Sequence, residues 1–211
     1  MNGFGRLVLR DLSHAFAHGG LWLPLIFYLL VATLFPFAIG PDAALLAKVG
    51  CGALWTAALL AALLPVERLV RPDIASGVMD QLTIRGHGDE GIAAAKLVAH
   101  WLSFGPPLML ATVPAAALLN LDGAALAQLE IGLLIGTPGL AALGLAVAAL
   151  TASLRGGGGL IGLVMLPLAV PLLIFGASPG TGALKLLAAT SLLFVAGAPF
   201  VAGAALRAGR S

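Results

Sequence analysis

Charge is scarce in this chain. Asp, Glu, Lys and Arg make up 9% of its 211 residues, against roughly 25% in an ordinary soluble domain. Six runs of 18 to 29 residues carry none of the four: 19–41, 49–66, 97–121, 131–154, 156–184 and 186–206. About 20 apolar residues of helix cross the hydrocarbon core of a bilayer, and one central charge costs about 2.5–3.5 kcal/mol on insertion scales. Each run therefore reads as a membrane span. With 60% hydrophobic residues and a mean hydropathy of +1.07, no water-soluble core of this size could absorb the apolar surface. Cysteine is nearly absent too: Cys51 stands alone, which excludes an internal disulfide and reads as a small apolar filler.

Catalytic constellations are missing as well. The chain holds no G-x-x-x-x-G-K-[ST] phosphate loop, no G-x-S-x-G elbow, no H-E-x-x-H and no cysteine pair. It is not expected to be an enzyme or to hydrolyse ATP by itself; any energy must come from another subunit. A nucleic-acid site would need a concentrated basic stripe, and there is none.

What is present points to an all-α polytopic membrane protein, because backbone groups in lipid must be satisfied internally and the short alternating segments of a barrel are lacking. The expected spans are about 21–40, 46–65, 97–119, 127–151, 159–176 and 185–206. With the N-terminus in the cytoplasm, nine of the eleven basic residues lie inside (Arg6, Arg10, Arg68, Arg71, Arg85, Lys96, Arg155, Arg207, Arg210), leaving Lys48 and Lys185 outside. Both termini are then cytoplasmic. The first run, at 23 residues, exceeds a signal-peptide core and is read as a retained helix.

Residues 4–18 place Phe4, Leu7, Val8, Leu12, Ala15 and Phe16 at helical spacing, with Arg6, Arg10, His14 and His18 on another face. This is the pattern of a helix lying on a membrane surface, its cationic face toward anionic lipid heads. A metal site on His14 and His18 is a weaker reading, since no carboxylate or thiolate joins the pair. Arg155 and the four glycines after it make a permissive turn. Nine prolines within the spans (Pro24, Pro36, Pro106, Pro107, Pro114, Pro138, Pro167, Pro171 and Pro199) predict kinks or local unwinding. Gly132-x-x-x-Gly136 predicts close helix packing.

One substantial cytoplasmic segment remains, 67–96. Pro72 is expected to break the preceding helix and Asp73 to cap a new one of about three turns, with Ile74, Val78 and Leu82 on one face and Asp80 and Gln81 on others. Asp89 is expected to cap the next helix. Such a segment suits a loop helix resting on the membrane or a docking helix for a cytoplasmic partner. Within the spans only His100, beside the boundary residue Trp101, and Glu130 stand out as possible polar contacts; a proton or ion relay would need several such groups aligned across the bilayer.

Read in order, the words TLFPFAIGPD (33–42), ERLVRPD (67–73), MDQL (79–82), AKLVAHWL (95–102), GTPGL (136–140), LPLAVPLLIFG (166–176) and APFVAGAALR (198–207) make the chain resemble the CcmB, or haem exporter protein B, family over nearly its whole length. The resemblance implies the permease of an ATP-binding-cassette complex for cytochrome c maturation in the bacterial inner membrane. Two copies would pair with the ATPase subunit CcmA and associate with CcmC, CcmD and the haem chaperone CcmE. No cofactor is expected on this chain: the partner binds ATP and the complex handles haem. Carried over to this sequence, the family words put Glu67, Arg68, Asp80, Gln81 and Leu82 in the ATPase-docking region, and Ile74 and Val78, spaced on one helix face with Leu82, are expected to join them. Phe35, Pro36, Gly40, Pro41 and Asp42 form the periplasmic-side motif. The loop departs from the family pattern at 74–82 and 85–90, where an acidic stretch with a Gly-Ser-Leu-Glu-Gln-Leu-like word, and then an apolar proline-rich stretch, would be expected. Two other readings stay open: an ABC-2-type permease exporting another lipid or hydrophobic cargo, and a non-transporting assembly scaffold. Haem needs partners for two carboxylates and an iron, and spans without Lys or Arg make a poor conduit, so transmission of motion is the expected role.

Overall fold

A computed structural model describes residues 3–17, 20, 22–154 and 158–209, and within them every regular element is helical. The helices are α1 (Gly3–Ala17), α2 (Trp22–Ile39), α3 (Ala43–Leu63), α4 (Arg71–Ala75), α5 (Val78–Ile84), α6 (Asp89–Leu118), α7 (Gly123–Thr151), α8 (Gly158–Ala177) and α9 (Thr181–Ala208). Six of them, α2, α3, α6, α7, α8 and α9, are long and apolar enough to cross a membrane. Their outward faces carry large apolar side chains such as Phe37 (86% exposed) and Leu110 (77%). A water-soluble monomer does not display so much apolar surface; in lipid it is the matching solvent.

Three tight turns join α2 to α3, α6 to α7 and α8 to α9 at one end of the bundle. Each uses a left-handed residue to reverse the chain: Gly40 (φ 92°), Asn120 (φ 55°) and Gly180 (φ 98°). Two of the following helices are then capped by aspartate. Asp42 accepts from the Ala44 and Leu45 amides at 3.0 Å, and Asp122 from the Ala125 amide at 2.8 Å. The remaining connections lie at the other end, together with α1, α4 and α5. Of the glycine turn expected at 156–159, Gly158 and Gly159 already belong to α8, while 155–157 lie outside the described residues.

The central helix is α7, which packs against α3, α6, α8 and most extensively α9. Its Gly132–Gly136 face receives mainly the indole of Trp55 from α3, with the Gly176 carbonyl of α8 3.6 Å from the Cβ position of Gly132. A Cβ at Gly136 would lie 2.5 Å from Trp55 Cη2, and one at Gly176 of α8 would overlap the ring. Trp55 is fully buried and joins three helices in this way. A closer backbone approach is found at Gly139, where a Cβ would meet Ser191 Cα of α9 at 2.9 Å. Helices α6, α7, α8 and α9 continue through Pro106, Pro107, Pro114, Pro138, Pro167, Pro171 and Pro199, so the unwinding expected there does not occur.

The segment between α3 and α6 differs from its expected form. Helix α3 ends at Leu63, a 3₁₀ turn covers Val66–Arg68, and Pro72 sits in the first turn of α4, where its missing N–H is harmless. Asp73 is therefore not a cap but an interior residue of α4. The single helix expected over 73–84 is two, because Gly77 (φ 71°) turns the chain left-handed between α4 and α5. That break rotates the two faces apart: Met79 and Leu82 are buried while Ile74 stays exposed. Gly88, not Asp89, holds the cap position of α6.

Candidate functional site

Four charged side chains meet where α1, α4 and α6 converge. Arg10 of α1 donates from Nη2 to Asp73 Oδ2 of α4 at 2.8 Å and to Asp11 Oδ1 at 2.5 Å. Lys96 of α6 donates to the same Asp73 oxygen and approaches Asp11 Oδ2 at 3.3 Å. Two cations thus face two carboxylates, and Asp73 Oδ2 is the shared acceptor. Burial acts to lower the Arg10 pKa, but Asp11 and Asp73 outweigh it and hold the guanidinium above its ordinary value. Lys96 is 5% exposed. A buried ammonium is tolerable only with such partners. Helix α6 explains how it gets there: 30 residues rise about 45 Å, against a hydrocarbon core of about 30 Å, so its charged first turns project past the core.

Two further ties fasten the same end. Arg71 bridges Glu67 at 2.9 Å and donates to the Leu154 carbonyl at 2.7 Å, linking α4 to the segment after α7. Arg207 of α9 pairs with Glu90 and lies 3.9 Å from Asp89, both in the first turn of α6. Displacing α4 would therefore load α1 and α6 through Asp73, and α7 through Arg71. Arg10 was expected to face lipid heads with Arg6; it turns inward because Asp73 offers it a fixed carboxylate.

Of the expected docking residues, Glu67, Arg68, Ile74, Asp80 and Gln81 are exposed, Val78 is half-buried and Leu82 is buried. Leu82 thus belongs to the inner face of α5, and the outermost apolar group is Ile84, 85% exposed. At the opposite end, Phe35 and Pro36 are half-buried in the last turns of α2, Gly40 makes the turn with its amide on the Pro36 carbonyl at 3.0 Å, Pro41 is exposed, and Asp42 caps α3.

The polar residues of the spans separate. Trp101 Nε1 donates to Thr137 Oγ1 at 3.1 Å, joining α6 to α7. His100 is buried, tilts against Phe104 with ring centroids 4.9 Å apart, and has no partner on either ring nitrogen among the described residues. Glu130 is half-buried with Oε1 unpartnered among them. No cluster of three or more His, Cys, Asp or Glu able to hold a metal occurs among the described residues; His18 of the His14–His18 pair lies outside them. Residue spacing did not reveal the charge cluster. Its one signal was Lys96, a cation standing directly before a run of 25 uncharged residues.

Residues 2–209 match the family model described as CcmB protein. The chain belongs to the CcmB family. Curated relatives within it are each named Heme exporter protein B. That of Paracoccus denitrificans is 45% identical, over 95% of this chain and 97% of the relative. The Bradyrhizobium diazoefficiens protein is 40% identical over 99% of both, and that of Escherichia coli K12 is 39% identical over 97% of both. These alignments span the CcmB chains almost end to end, so the charge cluster and the α4–α5 pair lie inside the shared region.

Proposed function

We propose that this CcmB-family chain is the membrane permease subunit of a haem-export ATP-binding-cassette complex, seated in the bacterial inner membrane with both termini in the cytoplasm. In this reading CcmA docks on the outer face of α4 and α5, formed by Ile74, Asp80, Gln81 and Ile84 with Glu67 and Arg68 beside them. ATP-driven closure of two CcmA subunits on two copies of this chain would push α4, and Asp73 would carry the displacement to α6 through Lys96 and to α1 through Arg10. The moving spans would then act on CcmC, CcmD and CcmE, releasing the haem-loaded chaperone. Haem itself would not cross this subunit, whose charge-free spans give its two carboxylates no cationic path.

The observation that carries the reading is the two-sided character of α4–α5. One side is exposed and mixed apolar and polar, while the other is tied through Asp73 to Arg10 of α1 and to the buried Lys96 of α6. A passive surface loop has no need of the second side. Complementation of a deletion strain tests it. The Asp73→Asn variant should still bind CcmA but leave haem trapped on its chaperone and holo-cytochrome c low. Normal maturation with that variant would refute the transmission role. Loss of function with full indifference to an ATPase-dead CcmA would instead favour a scaffold.

A further inference from the structure

A partly open cavity of about 520 Å³ lies between α1, the 65–73 segment and α6, within the range of small-ligand pockets. Its walls are mostly apolar. Lys96, Ala99, His100 and Ser103 line it along one face of α6, at the three- and four-residue spacing of a single helical stripe.

Two features of this cavity point to an occupant. His100 is 97% buried by its 3% exposure, lines the cavity, and finds no partner for either ring nitrogen among the described residues. A neutral imidazole has one donor and one acceptor, and leaving both dry and unpaired is unfavourable. Arg68 also lines the cavity, and no ion pair or side-chain hydrogen bond engages it among the described residues. Its guanidinium suits a phosphate or carboxylate fork. Lys96 is already committed to Asp11 and Asp73.

Among the described residues the cavity therefore offers one free cation, an apolar body and one deep hydrogen-bonding group. Asp11 and Asp73, which also line the cavity, disfavour a second anionic group. We propose that this is a binding site for a single membrane phospholipid, its phosphodiester on Arg68, its glycerol ester oxygens within reach of His100, and an acyl chain along the apolar wall. The bound lipid would fill the wedge between α1 and α6 beside the charge cluster. Arg68 also borders the proposed CcmA face, but lipid binding needs only a chain embedded in a bilayer and is read on this chain without CcmA.

Native mass spectrometry of the full-length protein released from nanodiscs containing phosphatidylglycerol tests it. The wild type should retain one phospholipid per chain after delipidating detergent washes. Arg68→Gln and His100→Phe should each lower retention about tenfold, His100→Gln should restore much of it, and Lys48→Gln, at the other end of the bundle, should leave it unchanged. Equal retention by the wild type, Arg68→Gln and His100→Phe would overturn the proposal, as would absence of retained lipid in the wild type. Inorganic phosphate displacing the lipid at millimolar concentration would make it a free-anion site instead. A Soret band on adding haem, lost in His100→Phe, would make it a porphyrin site. Either result also overturns the lipid assignment.

Discussion

Replacing Lys96 with methionine keeps most of the side chain's length and removes the ammonium that Asp11 and Asp73 share. Since Lys96 is 5% exposed, water does not take its place. Removing one partner of a buried pair costs about 3–5 kcal/mol. Asp73 retains Arg10 at 2.8 Å and its side chain is 23% exposed, which puts the expected loss at the low end, about 3 kcal/mol. The cluster then carries one uncompensated negative charge. Adding Asp73→Asn returns it to neutrality, so the double variant should recover about 2 kcal/mol of the loss. Denaturant titration in mixed micelles, followed by tryptophan fluorescence, measures both changes. A Lys96→Met protein as stable as the wild type, or a double variant no more stable than Lys96→Met alone, would refute the view that these charges hold α1, α4 and α6 together. The same double variant, though refolded, should stay defective in maturation, because the direct link from α4 to α6 is gone.

Other outcomes follow from local geometry. Gly176→Ala should destabilise by about 1–3 kcal/mol, because the added methyl overlaps the Trp55 ring, whereas Gly182→Ala, in open space on α9, should be neutral or gain a few tenths of a kcal/mol; thermal melts of the pair separate packing from helix propensity. Asp42→Ala and Asp122→Ala should each cost about 1 kcal/mol by uncapping α3 and α7, measurable in the same titration. Ile84→Glu should sharply reduce co-purification of CcmA without altering the melt, since Ile84 is 85% exposed. Leu82→Asp should lower the melt as well, because Leu82 is buried.

The spans were legible because the cost of burying charge in lipid acts residue by residue, so charge-free runs mark them directly. Asp42, the charge that ends the first of these runs, caps α3 just past α2. Asp73 was misread because its neighbour Pro72 makes it look like a helix cap, while the partners that define its role stand 63 and 23 positions away, at Arg10 and Lys96. Pairing at that range is a tertiary fact with no local signature. Gly132 and Gly136 announced a close approach, but only the packed bundle shows that it is mainly the Trp55 indole that fills it. Gly77 carried a usable signal: a glycine inside an apolar i, i+4 pattern is a candidate break, and treating it as one separates Ile74 from Leu82. His100 was visible as an isolated polar residue, yet its lack of partners among the described residues emerges only when α1 and the 65–73 segment enclose a cavity around it.

The most direct test of the central claim is site-specific cross-linking in native membranes. A cysteine introduced by Ile84→Cys in a Cys51→Ala background should be labelled by impermeant maleimide only from the cytoplasmic face and should cross-link to CcmA, with a yield that changes between nucleotide-free and ATP-bound states. Labelling from the periplasmic face, or a complex with no cross-link from position 84 in any nucleotide state, would contradict it.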